Sequence, residues 1–240
     1  MLRAVTFDFW GTLADARHSL RDERIAFLRR YLSCDMDRIA AAYERAWHYF
    51  DQGLAQGYGL GTATVLSAVL DDLGASLNPP SYAAVLRYWE EAMLDAPPPF
   101  LPGAREALWA LRRRGLLIGL ISDTGLTPGR VLRRVIAAAG LLIAFDWLTF
   151  SDEIGVTKRC PQAFTSTLYA LGVQPGQALH IGDTPATDLE GARAAGLHCA
   201  LLLESSQRRE GIPLADLVLD RLSDLPDALL LWEQSQTNNA

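Results

Sequence analysis

Ala4-Val5-Thr6-Phe7-Asp8-Phe9-Trp10-Gly11-Thr12-Leu13 is the stretch on which the fold turns. Residues 4–9 are mostly apolar, β-branched or aromatic and predict a short buried strand that runs into the tight turn at Gly11-Thr12-Leu13. Asp8 thereby stands at the carboxyl end of a strand. Immediately outward the period changes from strand to helix. Leu20, Arg24, Phe27, Leu28 and Leu32 fit one amphipathic helix, and Ile39, Tyr43, Ala46, Trp47 and Phe50 fit a second. Gly53, Gly57, Gly59 and Gly61 read as a flexible loop that breaks this section. Asn78-Pro79-Pro80-Ser81 starts another helix, and Pro97-Pro98-Pro99 closes the section as a stiff hinge.

Beyond the prolines, strands are predicted near 116–122, 146–150, 178–181 and 199–202, with 217–219 as a candidate last strand. Helices are predicted near 103–114, 128–139, 161–171, 189–195 and 224–232, and the polar end at 234–240 reads as frayed. Strands separated by helices of this length form a parallel sheet covered on both faces. The predicted class is α/β: a Rossmann-like parallel-sheet core made of residues 1–14 and 98–240, with an all-helical cap domain, residues 15–97, inserted after the first strand. Ligands in such a sheet bind beyond the carboxyl ends of the strands, where the strand order reverses.

The bulk composition narrows the function. A chain of 240 residues, 50% hydrophobic and 21% charged, has room for one sizeable core and an accessory domain, and is neither disordered nor collagen-like. Its longest apolar run, near 116–121, falls far short of the roughly 20 residues that span a bilayer, and Asp8 interrupts the place of a signal peptide; a cytoplasmic protein is expected. A net charge of −6 weighs against nucleic acid or an anionic membrane as partner. The expected assembly is a monomer or homodimer. Cys34, Cys160 and Cys199 are widely spaced and odd in number, which suggests neither a disulfide framework nor a zinc site. Lys158 is the only lysine, so its place in a chain that otherwise uses arginine points to a site wanting a compact charge.

Asp8, Ser122, Lys158 and Asp183 all fall at, or just past, predicted strand ends, and the topology gathers them at one mouth. Asp8, Asp183 and Asp188 meeting there would repel one another unless a cation lay between them. Hard oxygen ligands with few histidines nearby favour Mg²⁺.

These stretches resemble the motifs of the haloacid dehalogenase superfamily. Phe7-Asp8-Phe9-Trp10-Gly11-Thr12-Leu13 is similar to its first motif, Ile121-Ser122-Asp123 to its second, Lys158 to its third, and Gly182-Asp183-Thr184-Pro185-Ala186-Thr187-Asp188 to its fourth. The resemblance implies that Asp8 is a nucleophile attacking phosphorus of a small phosphorylated molecule, giving an aspartyl-phosphate that water hydrolyses. It implies that Mg²⁺ is held by Asp8, the carbonyl of Trp10 and Asp183, with Asp188 in support. Lys158 would neutralise the nucleophile and the transferring group, while Gly11, Thr12, Ser122 and Asp123 would surround the phosphate.

Position 10 departs from the family's phosphatases, which carry there an aspartate that protonates the leaving group; Trp10 cannot. Loss of a positioned acid is worth about 100- to 10,000-fold, so substrates with good leaving groups are expected, or an acid borrowed from elsewhere. The family's 2-haloacid dehalogenases also carry an aromatic residue there, which makes a dehalogenase-like hydrolase the rival reading. Against it stand Ser122-Asp123 and the intact Gly182-Asp183. A third reading is a non-catalytic protein that binds phosphometabolites. Phosphonate cleavage is set aside because residues 15–97 contain no lysine for a Schiff base. His180 and His198 read as structural, the cap aromatics mostly as cap core, and Cys160 as a plain buried thiol.

Overall fold

The computed structural model describes residues 2–238. Ala4–Phe7 forms strand β1, Leu117–Ser122 β2, Trp147–Phe150 β3, Ala178–Gly182 β4, His198–Leu202 β5 and Leu217–Leu219 β6. They build one sheet in the order β3-β2-β1-β4-β5-β6, every pairing parallel. The strand order reverses beside β1, and the register sets Phe7 opposite both Leu120 of β2 and Ile181 of β4. Asp8 and Asp183 therefore leave adjacent strands at the same edge of the sheet, where α/β folds hold ligands.

Burial on both faces explains why these strands read as near-continuous apolar runs. Val5, Phe7, Ile118 and Leu120 pack on one side, with Leu108 and Leu111 of helix α5 (Ala104–Arg113) and Leu132 and Ile136 of α6 (Gly129–Ala138). Ile121, Cys199 and Leu201 face the other side, against Phe164 and Leu168 of α8 (Gln162–Leu171) and Ala192 of α9 (Glu190–Ala194). A short helix, α7 (Ser151–Ile154), follows β3, and α10 (Leu225–Asn238) closes the chain.

Four helices lie between β1 and β2: α1 (Arg21–Arg29), α2 (Met36–Ala55), α3 (Thr62–Leu73) and α4 (Pro79–Asp95). They share a core of their own, including Leu28, Ile39, Phe50, Leu66 and Trp89, separate from the two that flank the sheet. Asn78 caps α4, accepting from the Ser81 amide at 2.9 Å, with proline at the first helical positions where no amide is missed. The chain enters and leaves this bundle side by side: the Asp15 amide donates to Pro99 O and the Leu101 amide to Leu13 O, both at 2.9 Å.

Four expectations are corrected. Strand β1 ends at Phe7 instead of continuing to residue 9, because Phe9 O turns to accept from the Leu13 and Ala14 amides. Gly53 does not break its helix; α2 runs on to Ala55, and Leu60 packs where a side chain at 53 would stand. The helix expected at 189–195 is preceded by a π-helical turn, Pro185–Leu189. The terminal segment stays helical to Asn238 instead of fraying from 234, while 239–240 lie outside the described residues. Among the described residues no helix is long and apolar enough to cross a membrane.

Candidate active site

Two glycines let the acids converge. Gly11 adopts φ +79°, and a Cβ there would lie 2.7 Å from the Asp183 carboxylate; at Gly182 a Cβ would lie 2.1 Å from the Asp188 carboxyl carbon. With that space open, Asp8, Asp183 and Asp188 each bring an oxygen within 4.8 Å of the others, and all three are buried. The π-helical turn returns Asp188 towards the sheet, where the Thr184 amide donates to its Oδ2 at 2.9 Å.

Lys158 arrives from the loop after α7, only 3% exposed. Its Nζ donates to Asp8 Oδ1 and, at 2.5 Å, to Asp188 Oδ1. Its own amide donates to Asp123 Oδ1 at 2.9 Å, so Asp123 fixes the lysine's backbone. Thr12 donates its hydroxyl to Asp8 Oδ2 at 3.3 Å. Behind Asp188 the ring of His180 spans two partners, Asp188 Oδ1 at 3.3 Å and the Thr6 hydroxyl at 2.9 Å. Thr184 donates to Asp183 Oδ1 at 3.2 Å, and Ser206 donates to the Asp183 carbonyl at 3.0 Å.

The electrostatics follow from burial. Desolvation pushes the Asp8 carboxyl well above its usual range; Lys158 opposes this, and Asp188 and Asp183 add to it. Desolvation together with Asp188 raises Asp183. For Asp188 burial alone would act upwards, but Lys158 and the His180 hydrogen bond overcome it and hold the carboxyl below its usual value. Burial would likewise lower Lys158, yet Asp188, Asp8 and Asp123 together raise it, so it remains an ammonium. Burial lowers His180, which keeps the ring neutral despite Asp188. Three carboxylates thus face one ammonium, and two negative charges are left over when all three ionise. A small dication bound by oxygen fits that surplus and that donor set.

A cavity of about 390 Å³ opens between the helical bundle and the sheet, lined among others by Trp10, Arg24, Tyr43, Trp47, Asp123 and Thr127. Trp10 meets the Phe9 ring edge-on at 4.9 Å.

A family profile described as haloacid dehalogenase-like hydrolase matches residues 2–196. The chain belongs to the haloacid dehalogenase-like hydrolase family. A mouse haloacid dehalogenase-like hydrolase domain-containing protein is 33% identical over 139 residues, 56% of this chain, which spans about half, 53%, of the mouse protein's length. A phosphatase of Mycobacterium tuberculosis is 30% identical over 213 residues, 88% of this chain and 92% of the relative. Among solved structures, a haloacid dehalogenase-family phosphatase from Thermococcus onnurineus superposes with a TM-score of 0.70 at 22% identity, covering 95% of this chain and 98% of the other.

Within this family hydrolase, Asp8, Thr12, Lys158 and Asp188 form one hydrogen-bonded cluster, and Asp183 lies within 4.8 Å of both acids and is tied to Asp188 through Thr184. Gly11 abuts Asp183. The Asp123 carboxylate accepts from the Lys158 amide, and the Ser122 hydroxyl, among the described residues, bonds only Asp123 O, at 3.3 Å. Cys160 is half-buried under the bundle, its thiol facing Gly57 O at 3.8 Å. Sequence reasoning passed over Thr6, Ser206 and Arg208, whose Nη1 donates to the Thr184 hydroxyl, and none of these three carries a motif. Arg24 had a signal, a cation on the apolar stripe of its helix.

Proposed function

We propose that this chain is a Mg²⁺-dependent phosphomonoester hydrolase that forms an aspartyl-phosphate on Asp8. The single observation that carries the reading is Lys158 Nζ bound between Asp8 and Asp188, with Asp183 close enough to share an ion with both. The phosphatase of Mycobacterium tuberculosis supports the substrate class by analogy.

Asp8, the carbonyl of Trp10 and Asp183 would hold the metal, and Asp188 would support it. Bound there, Mg²⁺ supplies positive charge to the acids and to the oxygens of the transferring group. Asp8 attacks phosphorus in line with the ester oxygen, which leaves with the bonding electrons; water then cleaves the acyl-phosphate bond and restores the carboxylate. Lys158 lowers the cost of bringing an anionic phosphate to an anionic nucleophile, and Thr12 with Ser122 orients the phosphoryl oxygens. Residues 15–97 would act as a cap that excludes bulk water and selects the substrate. The indole of Trp10 offers the leaving oxygen no proton, so aryl and acyl phosphates should turn over faster than alkyl phosphates.

Hydrolysis of p-nitrophenyl phosphate or acetyl phosphate tests this reading. Turnover should require Mg²⁺ and fall by at least about 1,000-fold in Asp8→Asn. Turnover unaffected by Asp8→Asn would defeat it. The aromatic Trp10 beside Asp8 favours one second reading, halide displacement from a 2-haloacid to give an ester on Asp8; metal-independent chloride release from 2-chloropropionate would establish it.

A further inference from the structure

Arg24 lies on the inward face of α1, 4% exposed, and lines the cavity beside Trp10. Its Nε donates to the Trp89 carbonyl at 3.0 Å and its Nη2 towards the Thr127 hydroxyl at 3.4 Å, with the Tyr43 hydroxyl also in contact. All three partners are neutral. Among the described residues no carboxylate comes within the 4.0 Å ion-pair distance of its guanidinium. The neighbouring Arg21 of the same cavity is different, being paired with both Glu44 and Asp22.

A guanidinium stays protonated throughout the physiological range, so Arg24 cannot escape the cost of burial by losing its charge. Neutral partners, with Glu23 contributing from beyond ion-pair distance, compensate a desolvated cation incompletely. An anion entering the cavity would complete the compensation, and the planar fork of arginine matches a carboxylate through two parallel hydrogen bonds. Glu44 and Asp123 line the same cavity, so a singly charged group is repelled less there than a doubly charged phosphate.

We propose that Arg24 is a specificity-determining residue that binds a carboxylate of the substrate, so that this site takes small phosphate esters carrying a carboxylate on the leaving group. The assignment rests on the hydrolase reading above for its phosphate half, but the carboxylate half is measurable without turnover.

The test compares 3-phosphoglycerate with glycerol 3-phosphate, which share the phosphate and differ in the carboxylate. Their dissociation constants are measured calorimetrically, with Mg²⁺, on Asp8→Asn protein and on the same protein carrying Arg24→Gln. The parent should prefer 3-phosphoglycerate by about tenfold or more, and Arg24→Gln should erase that preference. In turnover with Asp8 intact, Arg24→Gln should raise KM for 3-phosphoglycerate more than for glycerol 3-phosphate. No preference in the parent, or the same preference in the variant, overturns the proposal. Should Arg24→Gln fail to fold by circular dichroism, Arg24→Lys decides: loss of the fork should cut the preference by about threefold or more, and an unchanged ratio overturns the proposal. Binding with the expected preference but no hydrolysis in the native enzyme would defeat the hydrolase reading and leave the Arg24 assignment standing.

Discussion

Lys158 holds the site together as a charge before it takes part in any reaction. With its side chain almost wholly buried and bonded to Asp8 and Asp188, its removal leaves acids without a countercharge in a dry pocket. Lys158→Met should therefore destabilise the metal-free protein by about 3–5 kcal/mol, the cost of breaking a buried ion pair from one side, as well as abolish turnover. Urea unfolding reads this, and a midpoint matching the parent's would mean that the ammonium is dispensable to the fold. Trp10 carries a second prediction at this scale. Trp10→Asp should raise kcat/KM on an alkyl phosphate relative to p-nitrophenyl phosphate by about 100-fold, the lower reach of positioned acid catalysis. An unchanged ratio in a folded variant would show that another group already protonates the leaving oxygen.

The turn between α2 and α3 is tied to the loop that carries Lys158. The Gly59 amide donates to Gly155 O and the Thr157 amide to Gly57 O, both at 3.0 Å, and Thr157 donates its hydroxyl to Leu54 O at 3.2 Å. Helical bundle and lysine loop thus meet through backbone, where a side chain would intrude: a Cβ at Gly59 would lie 2.1 Å from Ser151 O. Gly59→Ala should cost about 1–3 kcal/mol and reduce kcat/KM, because overpacking pushes the turn off the lysine loop. Thermal melting and steady-state kinetics check it, and a variant unchanged in both would show the docking to be incidental. Sequence reading gave a flexible loop here, since four glycines in nine residues look like freedom until the neighbouring chain is in place. The strands were legible because Val5, Phe7, Leu120 and Ile181 are buried on every side and so leave unbroken apolar runs. Asp8, Asp183, Asp188 and Lys158 were legible through strand-end position. Arg24 and Tyr43 could be placed on their helices, Arg24 even as a misplaced cation, but not in a common cavity, because a cavity wall is assembled across helices with no fixed spacing between its members. The π-helical turn was missed for a similar reason: Pro185 and Asp188 also suit an ordinary helix start.

At the scale of the whole molecule, the parallel sheet is a device for concentrating acids, and the stability of the protein has to carry that concentration. Asp8 and Asp183 are raised in the fold by burial above their unfolded values. A carboxyl so raised holds its proton longer folded than unfolded, so the metal-free protein loses stability as pH climbs from about 4 through the raised values. Asp188, held low chiefly against burial by Lys158, acts oppositely, but its contribution is lost only as pH falls below the ordinary carboxylate range. Lys158, raised by its acids, keeps its contribution until pH passes its unfolded value near 10.5. Between about pH 5 and pH 8 Asp8 and Asp183, joined by Asp123 that burial raises likewise, pull stability down as pH rises, while His180, lowered by burial, pulls it up through its unfolded value near 6.5. Mg²⁺ binds the ionised carboxylates and displaces their protons, so its affinity should grow over the same interval. Saturation of a site raises stability with ligand affinity. The increase in Tm on adding a fixed concentration of Mg²⁺ should accordingly be larger at about pH 8 than at about pH 5.5, and Asp183→Asn should reduce the increase at the higher pH. Scanning fluorimetry with and without Mg²⁺ measures both. Equal increments at the two pH values would mean that Asp8 and Asp183 are already ionised at the lower pH, against their raised carboxyls, and no increment at either pH would remove the support for a dication at these acids.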